Sequence, residues 1–172
     1  MNHEDRHPDG DPPGALVWTC AADGLAPVLV QDLAEVAHEY HAQSGLPLRV
    51  VSGRRTLRHQ AELMAGMSRA QLEGMYCTKG YPDYVRRLVA LREETGTATP
   101  EQAYAILSRR AEGYVSAHLS GAAVDLAATG AEVELLKRLL VAHGFKVLDE
   151  RALGLPCIHA THAATPLAIV RE

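Results

Sequence analysis

An aspartate stands inside an otherwise small and apolar run, Ala122-Ala-Val-Asp125-Leu-Ala-Ala128, and this one position limits what the chain can fold into. A carboxylate buried there without a partner would be costly, so the fold has to bring positive charge or donors to it. His118 lies seven residues upstream, separated by Gly121 and the small Ala122 and Ala123. A helix would put the two on one face, but Gly121 and the β-leaning Ala-Val-Asp run predict a loop entering a strand. The backbone must then bend to bring imidazole and carboxylate together. A metal ion requires that convergence. Zinc accepts His nitrogen and Asp oxygen, and a catalytic zinc takes three protein ligands with the fourth position left for water. The third ligand is expected from a distant strand, and Cys157-Ile-His159-Ala-Thr-His162 is the later stretch that carries two histidines.

The remaining pattern predicts an α+β domain. Val28 to His41 has apolar residues at helical spacing, closed by Ser44-Gly-Leu-Pro47. Leu48-Arg-Val-Val-Ser52 reads as a short strand, and Thr56 as the N-cap of a helix through about Met64. Residues 68–110 read as a helical insertion, broken at Gly80-Tyr-Pro82 and at Thr95 to Pro100, with Thr99 as an N-cap and proline at the first helical position. Strands are expected at Ala122 to Leu126, Phe145 to Leu148, Cys157 to His162 and Leu167 to Val170, with a helix from about Ala131 to His143. These elements predict a small, mainly antiparallel sheet with flanking helices. Residues 1–14, rich in Asp, Pro, Gly and His and including His3 and His7, are expected to be a disordered leader before a single domain over 15–172.

Composition narrows the function. At 172 residues with 47% hydrophobic content, the chain can bury one core. A net charge of −4 argues against nucleic acid as the main partner. Neither a run of roughly 20 apolar residues nor a signal peptide is present, so the expectation is a cytoplasmic protein, without membrane contact and monomeric. Cys20, Cys77 and Cys157 do not form a disulfide framework or a zinc knuckle.

The segment Ser116-x-His118-x-x-Gly121-x-Ala123-x-Asp125 resembles the zinc-binding signature of the D-Ala-D-Ala carboxypeptidase and dipeptidase superfamily. That superfamily includes vancomycin-resistance peptidases, phage L-alanyl-D-glutamate endopeptidases and the zinc domain of hedgehog proteins. Upstream, Val50-Val-Ser-Gly-Arg-Arg55-Thr-Leu-Arg-His-Gln60 is similar to the family's Ser-Gly-Tyr-Arg-Ser segment, with Arg54 in place of tyrosine and with Arg55 and Gln60 in register. The resemblance spans residues 48–162 and implies a hedgehog/DD-peptidase-like fold. It also implies zinc held by His118, Asp125 and a later histidine, with Arg55 at the oxyanion or substrate carboxylate and with Gln60 and Ser116 on the substrate side.

The third block departs from the family, which puts a carboxylate or histidine two or three residues before the last ligand. With His159 as ligand those positions hold Cys157 and Pro156; with His162 as ligand, His159 takes the place of the base. His159 is assigned as ligand and His162 as the catalytic imidazole, the two being exchangeable, with Glu150 or Asp149 as further candidates for the base. The function implied is a zinc-dependent peptidase of the D,D-carboxypeptidase, dipeptidase or L,D-endopeptidase type, acting on D-Ala-containing peptides of peptidoglycan. It would meet the cell wall only if exported or released by lysis. The alternative is a zinc-stabilised module that binds peptides or muropeptides with catalysis weak or lost.

Among other groups, His38, His41, His59 and His143 are read as surface or satisfied residues. Arg86, Arg87, Arg92, Arg109 and Arg110 are read as solvated helix faces. Tyr76, Tyr81 and Tyr84 either pack the helical insertion or line a groove.

Overall fold

The computed structural model describes residues 14–111, 113 and 115–172. The leader expected over residues 1–14 falls outside these, apart from Gly14. Leu29, Leu33, Val36 and Tyr40 recur every three or four residues and are fully buried along one stripe of α1 (Pro27–Ser44). Burial of each such side chain contributes on the order of 1.5–3 kcal/mol, which outweighs the propensity of any single residue in the helix. Gly45, in the left-handed conformation, ends the helix by donating its N–H to the His41 carbonyl.

Five strands form one mixed sheet: β1 (Leu16–Trp18), β2 (Leu48–Ser52), β3 (Ala123–Ala127), β4 (Phe145–Asp149) and β5 (Cys157–His162), in the order β1-β2-β3-β5-β4. Only β1 and β2 run parallel; the other pairings are antiparallel. The sequence pattern does not disclose β1, because three residues are too few for an alternation to register. The final strand expected at Leu167 to Val170 does not form. There the chain is held by hydrogen bonds between Ser120 and Ala168 and by Arg110 on the Val170 carbonyl.

α1 and α6 (Val133–Ala142) cover one face of the sheet. Their apolar residues pack on Val124, Leu126, Ile158 and Ala160. Asp125 and His159 alternate with these residues and therefore point to the opposite face.

α2 (Leu57–Gly66), α3 (Arg69–Tyr76), α4 (Asp83–Thr95) and α5 (Pro100–Ser108) build a second apolar cluster around Met64, Leu72, Leu88 and Leu107. Residues 68–110 thus supply three helices. Thr56 caps α2, while Ser68 and Thr99 each form a capping box with the glutamine three residues on. Arg110 is a correction: it is buried and donates to the carbonyls of Leu107, Gly113 and Val170 instead of facing solvent. Its guanidinium ties the end of α5 to the Gly113 carbonyl and to the C-terminal segment at Val170.

Candidate metal centre

Register places Asp125 directly opposite His159 across the β3–β5 pair, and Ser52 opposite Asp125 across the irregular end of β2–β3. His118 arrives from the 3-10 turn Ala117–Ser120 immediately before β3. The turn closes at Gly121, whose φ of 66° is left-handed. A Cβ on Gly121 would overlap the Gly24 carbonyl, and the Gly121 carbonyl accepts the Ala26 N–H at 2.9 Å. Glycine is thus required here both by conformation and by close approach.

Three ligand atoms converge. His118 Nε2 lies 3.1 Å from Asp125 Oδ1, His159 Nδ1 lies 2.9 Å from the same oxygen, and the two ring nitrogens are 3.1 Å apart. This buried group can hold a metal ion. A tetrahedral ion with bonds of about 2.0–2.1 Å spaces its ligand atoms about 3.3 Å apart, so a triangle of this size needs only a small expansion.

Protonation supports the same fit. His118 Nδ1 is 2.7 Å from the Gly53 carbonyl, which can only accept, so the proton sits on Nδ1 and Nε2 turns a lone pair toward Asp125. His159 Nε2 is 3.0 Å from Thr161 Oγ1, a partner that can accept its proton and leave Nδ1 free. Lone pairs and a carboxylate directed at one point are the donor set of a cation.

Electrostatics match this arrangement. In the metal-free protein, burial pushes the Asp125 carboxyl up, while protons carried on the facing nitrogens of His118 and His159 and the charge of Arg55 hold it well below the usual carboxylate range; a bound cation would take the place of those protons. Burial lowers the His118 pKa against the opposing pull of Asp125, favouring the neutral, ligating imidazole.

Arg55 donates to the second oxygen of Asp125 through Nη2, to Ser52 Oγ through Nε at 3.0 Å and to Gln60 Oε1 through Nη1 at 3.4 Å. Its backbone N–H donates to the His118 carbonyl at 3.2 Å, tying the segment after β2 to the ligand turn. Guanidinium carries five N–H groups, so two remain beyond these three side-chain contacts. Gln60 is placed differently from expectation. It is fully buried behind Arg55, and its amide nitrogen donates to the Tyr76 hydroxyl at 2.7 Å. It therefore positions Arg55 and cannot touch a substrate. Ser116 lines the cleft, and its hydroxyl accepts the His118 N–H at 3.3 Å.

His162 is the main correction. An odd separation along a strand puts it on the opposite face from His159. There it is buried against Phe145, with Nε2 2.8 Å from Asp32 Oδ2 and Nδ1 3.1 Å from Thr165 Oγ1. It belongs to the interface between the sheet and α1, not to the metal centre.

The carboxylate that faces the cleft is Glu150. β4 ends at Asp149, whose side chain caps the 3-10 turn Glu150–Leu153, and Gly154, with φ of 80°, turns the chain back into β5. That return brings Glu150 beside the base of β5, with Oε2 3.1 Å from Cys157 Sγ. Burial, reinforced by the charge of Asp125, raises the Glu150 pKa above its usual range; Cys157, His159 and Arg55 oppose the shift. Glu150, Arg55, His118 and His159 line one cleft of about 90 Å³. Sequence spacing points only weakly to Glu150, because it lies nine residues before His159 and only the 3-10 turn makes them neighbours.

Comparison of the chain with known protein families, with curated proteins and with solved structures gives no match.

Proposed function

We propose that this protein is a zinc-dependent peptidase of the hedgehog/DD-peptidase type, hydrolysing peptide bonds in peptidoglycan-type peptides. The observation that carries the proposal is one small cleft that holds the ligand group His118, Asp125 and His159 together with a buried carboxylate, Glu150, and a guanidinium, Arg55. His118 Nε2, Asp125 Oδ1 and His159 Nδ1 would hold the ion. Zinc in such a set supplies an acidified water and a positive charge to polarise a carbonyl.

The chain's own groups supply the rest. The Glu150 carboxylate takes the proton of the attacking water and hands it to the departing amine nitrogen, as the C–N bond breaks and a carboxylate and an amine form. The two uncommitted N–H groups of Arg55 bind the substrate carboxylate or the developing oxyanion. Gln60 and Ser52 fix the plane of that guanidinium.

Glu150 favours the peptidase reading over the alternative of a zinc-stabilised binding module, because a carboxylate lining the cleft can serve as a base where Cys157 and Pro156 cannot. Protein loaded with one equivalent of zinc should cleave a panel of D-Ala-D-Ala dipeptides and muropeptides. Binding without cleavage across that panel identifies a binding module and overturns the peptidase proposal.

A further inference from the structure

We infer that a groove beside the metal cleft, walled by the helical insertion, binds an extended peptide, so that the preferred substrate is a chain of several residues and not a dipeptide; this rests on the peptidase proposal above. The cleft at the metal ligands is about 90 Å³, well short of the roughly 300–1,000 Å³ of pockets that bind whole small ligands. Affinity must come from elsewhere. The adjoining groove is about 540 Å³ and shares Met75, Tyr76 and Val115 with the cleft, so the two lie side by side on either side of these residues.

Its walls are built for a chain bearing side chains. Tyr76 stands at the junction, with its hydroxyl held by Gln60 and its ring edge-on to Tyr84 at 6.5 Å between centroids. On the far rim Tyr81 is 38% exposed, and its hydroxyl donates to Glu73 Oε1 at 3.0 Å. Val115, a β-branched residue at φ 69°, turns the chain from the groove into the ligand turn. Ordered aromatic faces bind peptide with little loss of side-chain freedom. Because Gln60 joins Tyr76 to Arg55, a peptide seated on Tyr76 also bears on the guanidinium at the metal centre.

The test is calorimetric binding to the metal-free protein, which keeps recognition apart from cleavage. The probes are a muropeptide stem pentapeptide, the D-Ala-D-Ala dipeptide and the N-acetylglucosamine–N-acetylmuramic acid disaccharide without peptide. The pentapeptide should bind at least ~10-fold more tightly than the dipeptide. Tyr81→Ala should remove that advantage, Tyr81→Phe should keep it, and both variants should still take up one zinc. Equal affinity for pentapeptide and dipeptide, indifference to Tyr81→Ala, or binding of the disaccharide that depends on Tyr81 would each overturn the inference. Tight pentapeptide binding without cleavage by the zinc-loaded protein would instead remove the peptidase proposal and leave the groove in place.

Discussion

Asp125 and His159 face each other across one antiparallel strand pair, carboxylate oxygen to ring nitrogen at 2.9 Å, and His118 closes the triangle from the turn before the first of those strands. Two ligands are fixed by sheet register and the third by a glycine-dependent turn. The backbone therefore sets all three ligand positions.

Such a site should bind zinc at one equivalent and gain stability from it. At a free zinc concentration about 100 times Kd, linkage adds about 2.7 kcal/mol. For a chain of this size that is roughly 5–10 °C in Tm. His118→Ala, Asp125→Asn and His159→Ala should each weaken zinc binding by at least ~100-fold, beyond the usual effect of losing an outer partner of a ligand. Metal analysis after gel filtration, with melting in zinc and in EDTA, measures both effects. A His159→Ala variant that still carries one tightly bound zinc would show that the three do not act as a set.

Much of this was legible in the residues, and the parts that were not have physical causes. Asp125 in an apolar run and His118 before a glycine announce a local bend, and local geometry is what sequence spacing encodes. The helix caps at Thr56 and Thr99 are local in the same way. The choice between His159 and His162 was open because it depends on where β5 starts, and a shift of one residue exchanges the two faces of a strand. Glu150 depends on a reversal between β4 and β5, and β1 on a partner some thirty residues away. Such long-range pairings leave little trace in a short window of sequence.

Glu150→Gln preserves the shape and removes the base. The variant should keep one zinc and a near-normal Tm, while kcat falls by about 10²–10⁴. Stopped assays on the cleaved muropeptide, normalised to zinc content, decide this. A kcat within threefold of the parent would assign the proton transfer to another group.

The same residue sets the sign of a pH effect in metal-free protein. The Glu150 pKa is raised in the fold, so between the ordinary glutamate value and the folded value the native state holds more protons than the unfolded state. Its contribution to stability is fully present below the unfolded pKa and is lost as pH rises through the folded one. One proton limits the slope to about 1.4 kcal/mol per pH unit. Urea melts of the EDTA-treated protein from pH 4 to 8 should show this decline, and Glu150→Gln should lack that component. The opposite slope difference between the two proteins would mean that Glu150 is not desolvated in solution.

His162→Ala separates the two histidines of β5. The substitution removes a buried ring and leaves Asp32 and Thr165 without their shared partner, at a cost of about 1–3 kcal/mol in stability. Zinc content and kcat/KM should stay within about twofold of the parent at temperatures where the variant is folded. Loss of zinc from the folded variant would place His162 back at the metal.

Gly121→Ala is the sharpest test of the ligand turn. The residue sits at φ 66°, and a methyl there meets backbone, the Gly24 carbonyl, which cannot swing aside as a flexible side chain can. The left-handed conformation and the overlap together should cost roughly 2–6 kcal/mol. The damage is also directional. Moving Gly121 displaces His118, three residues earlier in the same turn, while Asp125 and His159 stay locked by strand pairing. The folded fraction should then bind zinc as weakly as His118→Ala does, although every ligand is present. Chemical denaturation and zinc titration of the variant read the two consequences separately, and full zinc affinity with a stability loss below about 1 kcal/mol would contradict the close approach of Gly121 to Gly24.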